Sequence, residues 1–138
     1  SAEIRLQMQH VMQRHAAVFR SSQSLTEGVE KMDHIAANMT DLSLKDTSLI
    51  WNTDLVEALE LDNLMSQALV TVRSADLRKE SRGAHAHENY PDRDDQNWMK
   101  HTVMWLDENN ISRADYRQVT MTTLTNEVES IPPVARVY

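Results

Sequence analysis

The sequence has 138 residues, a formal net charge of −7 and no cysteine. The length suits one domain with a single core, and the acidic balance without a long basic run argues against a nucleic-acid partner. The lack of cysteine excludes disulfides, thiolate metal sites and thiol nucleophiles, and no stretch is long and apolar enough to predict membrane insertion or a signal segment, so we expect a soluble chain.

Three amphipathic helices are predicted in residues 1–82. Apolar residues at three- and four-residue spacing predict a first helix over 4–20, a second from about 25 to between 38 and 41, and a third over 49–82. The third has the widest apolar stripe, so we expect it to be central. Short polar connections favour an antiparallel three-helix bundle, and the predicted fold class is mainly α.

Residues 83–138 are predicted to complete a single domain over 1–138. Gly83 is expected to end the third helix, because glycine tolerates the left-handed backbone needed there. A fourth, shorter helix from 94 or 95 to 107 is expected. Its apolar anchors are Trp98, Val103, Trp105 and Leu106. A strand over 115–122 follows, and Pro132-Pro133 predicts an extended tail.

His85 and His87 are candidate metal ligands, since imidazoles two residues apart on an extended segment can face one ion, with Glu88 or Asp92 as an oxygen ligand. The spacing is weakly specific and no third or fourth ligand is marked. A hydrogen-bonded or solvent-facing pair is therefore the favoured interpretation, and no metal site is predicted.

Other catalytic chemistry is disfavoured. Ser81 lacks the G-x-S-x-G turn of a serine nucleophile. Asp94 and Asp95 resemble helix-capping anions or partners of Arg93 and Arg82 more than an acid/base pair. The chain has only two glycines, which lie far apart, so it cannot form a nucleotide-binding loop by itself.

The densest group of charges lies in residues 78–95 and is here termed the charged cluster. Its members are Arg78, Lys79, Glu80, Arg82, Glu88, Asp92, Arg93, Asp94 and Asp95. One interpretation is a solvated end of the bundle. The other is a polar docking face for another domain, on which arginines and carboxylates set the register.

Several segments together carry a resemblance to a known family. They are "SLIWNTDLVEALELDNLMSQA" (48–68), "RKESRGAHA" (78–86), "YPDRDDQNWMKHT" (90–102), "DYR" (115–117) and "PPVARVY" (132–138). In this combination the chain resembles the C-terminal helical domain of the flavoprotein subunit of succinate dehydrogenase. The related fumarate reductase flavoproteins and aspartate oxidases share the E-S-R-G element more loosely. The resemblance runs in order from the first helix to the final tyrosine.

The resemblance implies a parent protein that oxidises succinate to fumarate with covalent FAD and passes electrons to an iron-sulfur subunit and then to quinone. It also implies membrane anchor subunits, and a location on the cytoplasmic face of the bacterial inner membrane or on the matrix side in mitochondria. The FAD-binding and capping domains would lie upstream of Ser1. The sequence starts without an initiator methionine, which suggests a piece of a longer protein. The domain itself would be a spectrin-repeat-like three-helix bundle packed on the FAD domain, with no catalytic or cofactor-binding residue of its own.

By resemblance, the residues of this chain that dock on or support the flavin domain can be named. They are Arg78, Glu80, Ser81, Arg82, Gly83, His85, Arg93, Asp94, Asp95, Arg136 and Tyr138. Gly83 would turn the chain toward that domain, and the last two would anchor the tail. The sequence departs from the family pattern at His87, Asn89 and Gln118. Because of the first two, a fixed partner for every charge in this loop does not follow.

Two other hypotheses remain open at this point. The chain could be a free-standing helical adaptor whose charged end binds a partner protein, which predicts a start codon near the first helix. It could also be a small metal-dependent enzyme built on His85 and His87. Neither the physiological direction of the parent reaction nor the oligomeric state follows from the sequence.

Overall fold

Helices make up most of the regular structure. The computed structural model describes residues 1–134. Its helices are α1 (Ala2–His15), α2 (Ser22–Ala37), a 3-10 helix (Asn38–Asp41), α3 (Thr53–Leu77) and α4 (Asp95–Trp98), followed by strands β1 (Lys100–Leu106) and β2 (Ser112–Gln118). The prediction of a mainly helical chain is thus confirmed, with a two-stranded antiparallel sheet in place of one strand.

The core lies where the three long helices meet. α2 contacts both α1 and α3, and α1 also contacts α3. The largest fully buried apolar side chains come from α2 and α3. They are Leu25, Met32, Leu61, Leu69 and Val72. Methionines fill irregular gaps in such a core, and Met8, Met32 and Met65 are all buried. Among residues 1–134 no helix is both long and apolar enough to cross a bilayer.

The first helix is shorter than predicted. α1 ends at His15, and Val18 and Phe19, which the apolar spacing assigned to its buried face, are 68% and 79% exposed. Arg20 Nε instead donates to the carbonyls of Ala16 (3.2 Å) and Ala17 (2.7 Å), which directly follow the helix. The helical spacing of apolar residues thus extends to Phe19, although the helix itself ends at His15.

The third helix is also shorter, at both ends. Its N-cap is Asn52, whose side chain accepts from the Leu55 N–H, and it ends at Leu77 because Arg78 is already extended (φ −85°, ψ 106°). Arg78 Nη atoms bond the carbonyls of Lys100 (3.0 Å) and Trp98 (2.7 Å). These long-range contacts override the local helical preference.

The predicted fourth helix over 94–107 is mostly wrong. Only Asp95–Trp98 is helical, and Lys100–Leu106 is strand β1, paired antiparallel with β2 from Lys100↔Gln118 to Leu106↔Ser112. Thr102, Val103 and Trp105 favour strands, and pairing with β2 satisfies the backbone. β2 starts three residues before the predicted strand, because the turn after Asp107 is tight and Asn110 adopts φ 60°. The strand ends at Gln118.

Candidate functional site: the charged cluster

Glu80 lies at the centre of the charged cluster and is 0% exposed. Its Oε1 accepts from Arg78 Nε (2.9 Å), Arg78 Nη2 (2.6 Å) and Arg82 Nε (2.8 Å). Its Oε2 accepts from Arg82 Nη2 (3.0 Å) and from the Asp94 N–H (2.9 Å). Burial alone would raise the pKa of Glu80, but the bonds from Arg82, Asp94 and Arg78 outweigh it and hold the pKa below its usual range.

From this centre the charges continue to the surface as a chain of ion pairs. Arg82 Nη2 contacts Asp95 Oδ1 at 2.6 Å, and Asp95 Oδ2 contacts Arg93 Nη2 at 2.9 Å. Asp94 Oδ1 accepts from the N–H groups of Gln96 (3.1 Å) and Asn97 (3.0 Å) and so caps α4. The predicted roles of Asp94 as a cap and Asp95 as a partner of Arg82 and Arg93 are confirmed.

Gly83 does not end α3, which stops six residues earlier; that prediction was wrong. It occupies a two-residue turn closed by Arg82 N–H to His85 O (2.8 Å) and His85 N–H to Arg82 O (3.0 Å). Its φ of +58° is left-handed, and a Cβ there would meet nothing within 4 Å. Glycine is needed for the backbone conformation of the turn and not for space.

Ser81 is engaged within the chain. Its Oγ donates to the Tyr90 carbonyl (2.7 Å) and accepts from the His87 N–H (2.8 Å), while its own N–H donates to the Asp92 carbonyl (3.1 Å). These three bonds join both ends of the loop between α3 and α4. A hydroxyl held in this way has a structural role, in agreement with the sequence argument against a serine nucleophile.

The two histidines of the metal hypothesis do not converge on one point. His85 Nε2 donates to the Arg78 carbonyl (3.1 Å), and its Nδ1 accepts from Arg20 Nη1 (2.9 Å). Burial lowers the pKa of His85, with the Arg20 charge adding to the effect. The His87 ring is buried 6.0 Å away, and its Nδ1 accepts from the Asn89 N–H (3.3 Å).

The pair does not offer one free nitrogen from each ring to a shared ion. His85 uses both nitrogens, while within residues 1–134 the Nε2 of His87 is buried without a partner. Burial lowers the pKa of His87 as well. No group of three or more histidines and carboxylates with metal-binding spacing occurs in the part of the chain that the structure describes. The hydrogen-bonded interpretation is confirmed for His85.

Two cations next to the cluster were missed by sequence reasoning. Arg20 reaches His85 from 65 residues away, and Lys100 Nζ lies over the rings of Trp98 (5.1 Å to the centroid) and Tyr116 (4.1 Å). Nothing in the local sequence around Arg20 marks it, because its contact with His85 depends on long-range folding, and so does the contact of Lys100 with Tyr116. Arg136 and Tyr138, predicted to anchor the tail, lie outside the described residues.

FAD, which the resemblance implies for the parent protein, does not fit the residues of this chain. A dinucleotide phosphate site needs closely spaced glycines whose backbone can approach the ligand. Gly28 is instead packed in the middle of α2, where a Cβ would lie 2.7 Å from His15 Cβ, and Gly83 sits alone in an open turn. No chemical step through a flavin is therefore assigned to these residues.

Comparison with known proteins decides the family. The protein-family model described as "Fumarate reductase flavoprotein C-term" matches residues 5–138. The chain belongs to this family. It is 59% identical over 137 residues to the succinate dehydrogenase flavoprotein subunit of Rickettsia conorii, covering 99% of this chain and 23% of the relative. It is 51% identical over 138 residues to the mitochondrial succinate dehydrogenase flavoprotein subunit of Oryza sativa, covering 100% of this chain and 22% of the relative.

Solved structures agree with this assignment. A quinol fumarate reductase of E. coli superimposes with a TM-score of 0.85 at 33% identity, over 90% of this chain and 22% of that one. The adenylylsulfate reductase of Archaeoglobus fulgidus, at 20% identity and a TM-score of 0.76, shares the fold. The chain spans less than a quarter of the length of the succinate dehydrogenase and fumarate reductase flavoproteins named here, and it matches the C-terminal part of the dehydrogenase subunits.

Proposed function

We propose that this chain is the C-terminal domain of a flavoprotein subunit that oxidises succinate to fumarate with covalently bound FAD. Electrons would pass from the flavin to an iron-sulfur subunit and then to quinone at membrane anchor subunits. The complex would lie on the cytoplasmic face of a bacterial inner membrane or on the matrix side in mitochondria. The observation that carries the proposal is the 59% identity to a succinate dehydrogenase flavoprotein subunit along 99% of this chain.

Within that protein the domain is proposed to be structural and not catalytic. Its α1, α2 and α3 would form the antiparallel, spectrin-repeat-like bundle of a single domain over 1–138. Support comes from the charged cluster, in which Glu80 and Ser81 use their bonding capacity on partners of the same chain. Groups engaged in this way hold a shape and are not free to take or release a substrate proton.

Exposed apolar side chains support packing against another domain. Leu49, Ile50 and Trp51 are 95%, 78% and 93% exposed in the loop before α3. This apolar loop is held by side chains: Asn52 Nδ2 donates to the carbonyls of Asp46 (2.9 Å) and Ser48 (2.8 Å). Apolar groups held in position and exposed together are typical of an interface. The FAD-binding domain of the same chain is the proposed partner.

A chimera tests the proposal. The matching C-terminal part of the Rickettsia conorii flavoprotein is replaced by this chain, and covalent flavin content and succinate-dependent dye reduction are measured beside the native protein and a deletion of that part. We expect the chimera to keep flavin and activity, the deletion to lose both, and the chain alone to be colourless and inactive. Succinate oxidation by the chain alone would contradict a structural role, and a fully active deletion variant would favour the adaptor hypothesis.

A further inference from the structure

An open cavity of about 660 Å³ lies beside the charged cluster, between α3 and the segment that leads from α4 into β1. Four cationic side chains line it: Arg20, Arg78, Arg82 and Lys100. No carboxylate of residues 1–134 is among its lining residues. This separation of charge is unexpected in a chain whose net charge is −7.

Two of the four cations are neutralised inside the chain. Arg78 and Arg82 share the buried carboxylate of Glu80, and Arg82 also pairs with Asp95. Each Glu80 oxygen already accepts at least two bonds. This carboxylate therefore has little capacity left to neutralise a further cation.

The other two cations have no such partner. Arg20 and Lys100 are half-buried, and no carboxylate oxygen within residues 1–134 lies at ion-pair distance from either. Arg20 bonds two carbonyls and the neutral nitrogen of His85. Burial lowers its pKa, as expected of a guanidinium without an anion beside it.

Lys100 is held by aromatic rings. Its ammonium lies over Trp98 and Tyr116, and the Arg78 guanidinium also lies over Trp98, 5.4 Å from the ring centroid. Cation–π contacts fix the position of a charge without neutralising it. The cavity therefore presents two positive charges in fixed positions. Their neutral partners only partly offset the loss of hydration that comes with burial.

We propose that this cavity is a binding site for an oxyanion carrying two negative charges, with Arg20 and Lys100 as its charged contacts. Carboxylate and phosphate oxygens are the acceptors that guanidinium and ammonium groups bind best. Two negative charges balance the two unpaired positive ones. The shared chemistry has two possible sources: a free small dianion, or a pair of acidic side chains from the rest of a longer parent protein.

Titration of the 138-residue chain tests the site. Inorganic phosphate and malonate are added at constant ionic strength set with chloride, and backbone amide shifts are followed by NMR. We expect saturable shifts next to Arg20 and Lys100, and about tenfold weaker binding in Lys100→Gln, the loss expected when one charged hydrogen bond is removed. Lys45→Gln removes the same charge from an exposed loop and should leave the affinity unchanged.

Absence of saturable shifts with both dianions overturns the proposal, and so does equal affinity in Lys100→Gln and Lys45→Gln. Should Lys100→Gln fail to fold, Arg20→Lys replaces it with the same expectation, because lysine lacks the fork of donors. The same titration in a full-length flavoprotein carrying this chain then decides between a free dianion and acidic side chains as the source of the negative charge. This second experiment rests on the proposed function. Phosphate binding that persists there and is weakened by Lys100→Gln indicates a free dianion, and its loss indicates acidic side chains of the same protein.

Discussion

Gly28 offers a sharp test of how α2 fits between its neighbours. A Cβ added at this position would lie 2.7 Å from His15 Cβ, at the end of α1, and 3.4 Å from Val72 Cγ2 on α3. His15 is buried, with Nδ1 3.1 Å from the Ser24 carbonyl and Nε2 3.1 Å from Lys31 Nζ. A methyl group at position 28 therefore meets a fixed atom on one side and a packed helix on the other.

The size of the effect in Gly28→Ala follows from two opposed contributions. α1 and α2 must move apart by about 0.7 Å to bring the contact from 2.7 Å to the 3.4 Å of ordinary contact. Overpacking of this kind costs about 2–3 kcal/mol. Alanine in place of glycine inside a helix stabilises the helix by about 1 kcal/mol. The free energy of unfolding should therefore fall by about 1–2 kcal/mol, equivalent to about 3–8 °C in Tm.

Urea and thermal unfolding of the 138-residue chain, followed by circular dichroism at 222 nm, measure this change. Asn63→Ala on the exposed face of α3 is the control, because it gains helix propensity without a new contact and should be neutral or slightly stabilising. If Gly28→Ala is as stable as the wild type or more stable, the close approach of α1 and α2 at this point is not rigid and the reasoning fails.

Three further predictions concern the charged cluster and its loop. Glu80→Gln leaves two guanidinium groups around a buried neutral amide and should lower the free energy of unfolding by about 3 kcal/mol, whereas Asp95→Asn, at the exposed end of the ion pairs, should cost much less; equal losses in urea would contradict the buried role of Glu80. Burial lowers the pKa of His87, so below its ordinary value of about 6.5 the unfolded chain binds more protons than the folded one. The free energy of unfolding should thus fall as the pH is lowered through about 6.5, and an unchanged slope in His87→Asn would assign this dependence to other groups. Gly83→Ala should cost about 1 kcal/mol because of its left-handed φ, and Gly83→Asn clearly less; identical losses would mean that the turn has another conformation.

Sequence periodicity located the three long helices but not their ends. Positions such as Leu25, Leu61 and Leu69 report a buried face directly, since the helical repeat places them together. Helix ends depend on contacts that the repeat does not contain, such as the bonds from Arg78 to the backbone of β1. The same limit explains β1, whose apolar residues suit a short helix as well as a strand until a pairing partner is known.

The content of the charged cluster was predictable, and its internal order was not. Residues 78–95 hold the charges in a short span, so their proximity follows from chain connectivity. That Glu80 is the buried centre does not follow, because alternating charges along a loop leave open which of them faces inward. Arg20 lies 65 residues from His85 in the sequence, and no local pattern connects the two.

The structure divides the cluster into an inward and an outward part, and this changes where docking should be sought. Glu80 and Ser81, which the resemblance assigns to contact with a flavin domain, are engaged in bonds within this chain. Removing them would alter the fold before it altered an interface. The groups with unsatisfied chemistry are Arg20, Lys100 and the apolar loop around Trp51. Substitutions of exposed side chains in the apolar loop, such as Trp51, should weaken association while leaving the unfolding curve of the chain unchanged, whereas those at Glu80 should do the reverse.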